Sequence, residues 1–321
     1  MKKNLGYLLI VLSSFSLAAC EYLNLVSNRV YISEFPEERT AAVSFTFDDN
    51  YPSSLSYIAP MFEKYEFKAT FFVIPNQVND TQWPEWKKLS EKGFEIGNHS
   101  LNHLTLTQIK DTTQLHEEIN HAYQIIEDKI GAAPFSFAHP GHATNEAVDK
   151  VVFQKHYATR VSPLGFCEWW GVVSSSDVTM LEKNLRDAIK KNTWLVVAAH
   201  GVEDGWQPIK IQFLEQCLSL VKAKESQIWV DHFGNLAKYK IEKQNTSLSI
   251  KELEGRLNIT LKSSLDTAIF NYPLTVVVDD HKYKRAKVSP MEGTSIVNLT
   301  YHKDKIILKL LPKSKVQIQK L

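Results

Sequence analysis

From residue 41 onward, short apolar runs alternate with stretches of helical period. Residues 41–47 are apolar and β-branched, the pattern of a buried strand, and the run stops at Asp48-Asp49. Residues 53–65 read as a helix, 69–74 as a second buried strand, and 83–92 as a helix ended by Gly93. A short strand over 94–97 leads into His99. Leu115, Ile119, Ala122 and Ile126 share one face of a helix over 115–130, with Gly131 as its cap. Residues 135–138 and 158–161 read as strands, with a helix over 145–156 between them. Asp177 suits the N-cap of a helix running through Lys191. A buried strand over 194–199 then ends at His200, followed by a helix over 209–224 and a strand over 228–230. Such alternation predicts parallel strands with helical crossovers, in a barrel or an open sheet.

After about residue 243 the grammar changes. Short strands are expected at 247–250, 257–262, 274–278, 283–288, 295–301 and 305–310. Turn residues such as Asp279-Asp280, Glu292-Gly293 and Lys303-Asp304 separate them. This spacing predicts a small β-sandwich of roughly 75 residues. The other end of the chain is different again. Lys2 and Lys3 precede an apolar run over 5–12 and small residues over 13–19, the pattern of a secretory signal peptide. That stretch is too short for a membrane-spanning helix of the mature protein. Leu17-Ala18-Ala19-Cys20 resembles the lipobox of bacterial lipoproteins, which implies lipid on Cys20, export and attachment to a membrane. The expected organisation is a signal peptide over 1–19, a lipidated Cys and tether over 20–40, an α/β domain over 41–242 and a β domain over 243–321.

A length of 321 residues suits a barrel-sized domain with an extra module. The formal net charge is +1, and loss of the two leader lysines makes it −1. Neither value has the basic excess of a nucleic-acid-binding protein. Seven Trp suit sugar stacking, but they suit core packing equally well. After Cys20 only Cys167 and Cys217 remain. A disulfide is possible in an exported protein, and two buried free thiols is the reading preferred here.

The chemistry-bearing residues sit at strand ends, where parallel α/β folds build their sites. His99 and His103 are four apart, a spacing that on a helical turn puts both imidazoles on one face, able to share a metal ion. A third ligand from elsewhere would leave positions open for water and substrate. Asp48 and Asp49 end the most apolar strand of the chain, where two carboxylates are costly unless a cation or hydrogen bonds satisfy them. A division of labour follows, with one carboxylate on metal and the other free as a base.

Thr46-Phe47-Asp48-Asp49 resembles the TFDD motif of polysaccharide deacetylases, the NodB-homology group of carbohydrate esterase family 4. His99-Ser100-Leu101-Asn102-His103 resembles that family's HSxxH motif. Ala69-Thr70-Phe71-Phe72-Val73 is similar to its ATFFV strand, and residues 195–200 to its late strand ending in a catalytic His. The resemblance covers about residues 40–242. It implies a distorted (β/α) barrel with fewer than eight regular strands, acting on acetylated glycans or amino sugars. It also implies Asp48 as general base, His200 as general acid, and Asp49, His99 and His103 as ligands of one divalent ion. Zinc is the metal implied, though a His₂Asp set suits other divalent ions.

Two departures stand out. The family's third motif carries an Arg that braces the base, and Ala138 occupies its place in Phe137-Ala138-His139-Pro140-Gly141-His142. Pro140 still fits, and the Gly141 N–H is a candidate oxyanion donor. His139 and His142 are either substitutes for the lost contacts or plain loop residues. The fourth motif has only Trp169, Trp170 and Asp177 as candidates. The expected activity is metal-dependent deacetylation at the cell envelope; the alternative is a glycan-binding lipoprotein with little or no turnover on the same scaffold.

Overall fold

The computed structural model describes residues 29–161, 167–291 and 293–321. The expected signal peptide and Cys20 lie outside the described residues. The described residues form two compact units, one of residues 39–237 and one of residues 29–38 with 238–321.

In chain order the first strands are β1 (Val30–Ile32), β2 (Ala41–Asp48), β3 (Thr70–Val73), β4 (Glu95–Asn98), β5 (Ser136–Phe137) and β6 (Ala158–Thr159). Then follow β7 (Glu168–Gly171), β8 (Trp194–Ala199), β9 (Ile228–Val230), β10 (Thr246–Leu253) and β11 (Arg256–Ser263). The last are β12 (Leu274–Val278), β13 (Ala286–Pro290), β14 (Ile296–His302), β15 (Lys305–Leu310) and β16 (Lys315–Lys320).

In the larger unit the sheet order is β6-β5-β4-β3-β2-β8-β7, with β9 also on β2, and every pairing is parallel. The sheet curls into a half-barrel with β6 and β7 at its edges, so the expected distorted (β/α) barrel is what forms. Helices supply the crossovers, among them Trp83–Glu91, Ala122–Ile130, Val178–Lys191 and Ile211–Lys222. Asp177 does cap its helix, accepting from the backbone N–H groups of Thr179 and Met180.

A polar interior accompanies this sheet. Glu95 on β4 accepts hydrogen bonds from Thr70 Oγ1 at 2.8 Å, Ser136 Oγ at 2.7 Å and the Gly234 N–H at 2.6 Å. Asn98, the last residue of β4, donates to the Ile119 carbonyl at 3.0 Å and faces His156 Nε2 at 3.1 Å. His156 Nδ1 faces the Val152 carbonyl, so the neutral tautomer with a proton on Nδ1 satisfies both contacts. Burial pushes the His156 pKa down to about 4. The unfolded chain therefore gains a proton near pH 6.5 that the folded chain refuses until about pH 4. His156 should thus remove about 1.4 kcal/mol of stability per pH unit as pH falls across that window. Urea midpoints at pH 7, 5.5 and 4.5 should fall less steeply in His156→Gln than in the wild type; equal slopes would refute this.

The second unit holds two antiparallel four-stranded sheets, β1-β12-β15-β14 and β10-β11-β16-β13. Alternate residues are buried, for example Ile306, Leu308 and Leu310 on β15, and Val316 and Ile318 on β16. This period of two is what a half-buried strand requires. One expectation needs correction. Val30–Ile32, assigned above to a tether, pairs with Val276–Val278, because its own apolar residues complete the edge of that sheet. Among the described residues no helix is long and apolar enough to cross a membrane.

Candidate active site

β2 is buried along its whole length. Val43, Phe45 and Phe47 pack into the main apolar core with Phe62 and Phe71. By strand alternation Ser44, Thr46 and Asp48 point to the opposite face. There Ser44 Oγ accepts from Trp194 Nε1 at 3.0 Å, and Thr46 Oγ1 accepts from Arg160 Nη1 at 2.8 Å. Asp48 follows in the same row and receives both ends of the same guanidinium. Arg160 Nη1 donates to Oδ1 at 3.0 Å and Nη2 donates to Oδ2 at 2.6 Å. Both side chains are buried. Burial alone would raise the Asp48 pKa, but the Arg160 charge and then His99 outweigh it and hold the carboxyl at about 2.

Arg160 follows β6, an edge strand four places from β2 in the sheet. Its guanidinium lies 5.0 Å from the centre of the Phe72 ring. Gly97 on β4 makes room for that ring, since a Cβ there would meet Phe72 at 2.5 Å. An arginine therefore does reach Asp48, from a different strand than the motif comparison searched. Ala138 instead presents its carbonyl to His99 Nδ1 at 2.7 Å. The signal for Arg160 was present in the sequence, because it stands at the end of a strand recognisable there, where the other site residues also stand.

Asp49 lies just past β2 with a left-handed backbone (φ 70°), and His103 is left-handed as well (φ 59°). Each costs about 1–3 kcal/mol in a non-glycine residue, a cost typical of functional sites. The His99–His103 segment is not the helical turn anticipated from its spacing. It is a tight loop in which Ser100 is left-handed. Asn98 Oδ1 accepts from the Ser100 N–H at 2.9 Å, Ser100 Oγ accepts from the His103 N–H at 3.0 Å, and buried Glu118 accepts from the Asn102 N–H at 3.0 Å. The loop still brings the two imidazoles together, with ring centres 4.9 Å apart.

Asp49, His99 and His103 each offer a ligand atom, and the three lie within 4.8 Å of one another. Asp49 Oδ1 is 3.4 Å from His99 Nε2 and 3.6 Å from His103 Nε2, and it is a buried oxygen without a hydrogen bond. His99 Nδ1 is committed to the Ala138 carbonyl, which leaves Nε2 as a bare lone pair. A buried orphan oxygen and a pre-oriented lone pair on one point fit a divalent cation. Burial would raise the Asp49 pKa, but its interaction with the neighbouring His99 outweighs that and lowers it.

These groups line a cavity of about 500 Å³ with Asp48, His200, Gly141, His139, His142 and Trp206. His200 Nε2 is 3.9 Å from Asp49 Oδ2, and its ring rests 4.7 Å from that of Trp206. Burial lowers the His200 pKa, with Asp48 and Asp49 opposing that shift. Gly141 has φ 61° in the turn after His139, and Pro140 beside it is buried. His139 sits 3.2 Å from Asp149, and burial pushes its pKa down to about 4. A second cavity, of about 410 Å³, is lined by Trp169 and Trp170. Asp177 serves as a helix cap and lines neither cavity. Cys167 and Cys217 are free thiols, each pushed up to about 12 by burial.

Residues 36–159 match the family model described as polysaccharide deacetylase. Nearly all of the matched stretch lies in the parallel-sheet unit. It is 30% identical over 118 residues to a peptidoglycan-N-acetylglucosamine deacetylase of Bacillus cereus, covering 36% of this chain and 54% of that protein. It is 21% identical over 280 residues to a gellan lyase of a Bacillus species, covering 77% of this chain and 11% of the lyase. Among solved structures, a family 4 acetyl xylan esterase from Clostridium thermocellum in complex with a cobalt ion is 21% identical. It matches with a TM-score of 0.47, covering 61% of this chain and 89% of that one. The chain thus spans well under two thirds of these curated relatives.

Proposed function

We propose that this protein is an exported, metal-dependent hydrolase that removes acetyl groups from a glycan at the cell envelope. The observation that carries the reading is one cavity in which a buried, Arg-paired Asp48 and His200 flank the Asp49–His99–His103 cluster. Asp49, His99 and His103 would hold the ion, with zinc the first choice for two imidazoles and a carboxylate. When bound there, the ion supplies a Lewis acid that polarises the acyl carbonyl and lowers the pKa of water.

The chain's own residues account for the proton movements. Asp48 stays ionised and takes a proton from the attacking water, and Arg160 fixes the carboxylate plane. His200 gives a proton to the leaving amine or alcohol. The Gly141 N–H, in the turn that begins at buried Pro140, serves the developing oxyanion. The named activity of the Bacillus cereus relative favours an N-acetylated amino sugar. Attachment through lipidated Cys20 belongs to the same proposal. The glycan-binding alternative rests on the altered third and fourth motifs; Arg160 beside Asp48 answers the first of these, and the fourth motif still has only Trp169, Trp170 and Asp177 as candidates.

Zinc-loaded protein should release acetate from N-acetylchitotetraose or acetylated xylan. A chelator should stop the release and added zinc restore it. No acetate from either substrate would overturn the hydrolase reading. Cys20→Ser should move the protein out of the detergent phase, and equal partitioning would refute the anchor.

A further inference from the structure

Charge is divided unevenly along this chain. The unit of residues 29–38 and 238–321 carries 17 Lys and Arg against 11 Asp and Glu, whereas the parallel-sheet unit carries 18 against 24. The near-neutral total therefore hides a basic β unit, and such asymmetry points to an anionic partner. Several carboxylates of the β unit are already engaged. Glu34 holds Lys240 and Lys243, Glu37 holds Lys309, and Glu38 and Asp279 share Lys305.

The cations left over gather on one surface, the outer face of the sheet β10-β11-β16-β13. Leu257, Ile259 and Leu261 of β11 and Val316 and Ile318 of β16 are buried, so the residues alternating with them point outward. Strand register sets the outward residues in rows. Arg256, Gln319 and Lys287 stand side by side, and Lys251, Asn258, Gln317 and Ser289 form the next row. Ser249, Thr260 and Lys315 follow, and then Ser247 and Lys262. No carboxylate stands in any of these rows. Lys251, Arg256, Lys262, Lys287 and Lys315 are all exposed, and none has an ion-pair partner among the described residues. A face that is merely solvated mixes both signs of charge.

We infer that this face is a docking surface for an acidic polysaccharide, a glycan chain bearing carboxylates at intervals. The inference goes beyond the hydrolase reading, since binding here needs no turnover. Charge complementarity asks for an anion. The spacing asks for a long one: from strand separation and rise, neighbouring cations have their Cα atoms about 8–12 Å apart. No single small anion spans such an array. The residues between the cations are amides and hydroxyls, with Gln317 Nε2 donating to Asn258 Oδ1 at 2.9 Å, and they offer donors and acceptors to sugar hydroxyls. At the Lys262 end the face runs into a shallow groove lined only by polar residues, among them Gln244, Asn245 and Ser264. A surface that lies on lipid would carry Trp, Phe or Leu. These rows hold no aromatic residue, and Leu253 opposite Arg256 is their one apolar side chain.

The test uses the chain from residue 20 onward with Cys20→Ser, so that no lipid interferes, and a chelator, so that no turnover intervenes. Polygalacturonate, neutral dextran and phosphatidylglycerol vesicles are titrated in low and high salt. Polygalacturonate should bind, dextran should not, and salt should weaken binding by screening the exposed charges. Lys251→Gln, Arg256→Gln and Lys287→Gln combined should raise Kd at least about tenfold, since each exposed charge pair contributes up to about fivefold. Lys262→Gln with Lys315→Gln should weaken binding in the same way from the other end of the face. Lys87→Gln, Lys88→Gln and Lys183→Gln remove the same charge from the parallel-sheet unit and should leave Kd within about twofold. Absence of polygalacturonate binding at low salt overturns the inference. So does an equal loss in both triple variants, which would reflect net charge alone. Vesicle binding that exceeds polygalacturonate binding and disappears with the face variants makes the partner a membrane and overturns it too. Acetate release from N-acetylchitotetraose by the face variants, measured separately with zinc, should match the wild type, so failure of either reading leaves the other standing.

Discussion

Arg160→Met should lower turnover on an acetylated glycan by about 10²–10⁴-fold, the range of general acid–base groups. It should also cost about 3–5 kcal/mol of stability, the penalty for leaving one member of a buried ion pair unpaired. Asp48 is the charge left behind. Its folded pKa of about 2 lies below the ordinary 3.8, so this pair contributes stability above pH 3.8 that is lost as pH falls through 2. Without the guanidinium, burial acts unopposed by it and the Asp48 pKa rises. The base must be deprotonated to work, so the acid limb of the pH–rate profile should move to higher pH. Asp48→Asn combined with Arg160→Met should recover part of the lost stability and none of the turnover. The assignment fails if Arg160→Met unfolds at the wild-type urea midpoint and keeps turnover within twofold.

Asp48 and Asp49 should separate cleanly when each is made an amide. Asp49→Asn should lose bound metal, because its orphan Oδ1 is the atom that faces both imidazoles and a neutral amide is a poorer ligand. Asp48→Asn should keep its metal and lose turnover by about 10²–10⁴-fold. His200→Ala should resemble Asp48→Asn. Metal content and turnover are measured on the same preparations. Should Asp48→Asn lose its metal while Asp49→Asn retains both metal and activity, the two roles are reversed.

Much of the larger unit was legible because its strands are continuous apolar runs bounded by helices with clear caps. β2, β3, β8 and β9 lie close to where their hydrophobic runs put them. β7 was missed because Glu168-Trp169-Trp170-Gly171 has neither alternation nor a buried apolar run, and all four of its residues stay partly or largely exposed. The helix Phe233–Gln244 was missed because its apolar positions are sparse among lysines. The strand Lys315–Lys320 does alternate, but it is short and lies beyond the last turn signal read.

Asp49, His99 and His103 do come together, but through a local shape other than the one expected. Spacing of four suggested a helical turn, and the chain instead uses left-handed Ser100 and His103 held by Asn98 and Glu118. Backbone sign at Ser100 and His103 is set with side-chain hydrogen bonds from Asn98 and Ser100, and the loop is anchored by Glu118; a spacing rule carries no information about these.

What the sequence by itself determined was the strand-end addresses of the chemistry: Asp48 and Asp49 after one apolar run, His99 and His103 after another, His200 after a third. Those addresses follow from local pattern, because a buried parallel strand must present its polar residues where it ends. The partner of Asp48 was decided only by the tertiary structure. Arg160 is 112 residues away in the chain and sits after an edge strand, and the family match itself stops at residue 159. Curling of the sheet carries that edge across the interior, and Gly97 leaves the space that lets Phe72 support the guanidinium. A buried carboxylate demands a cation, but only the closed interior selects which of the chain's cations can reach it.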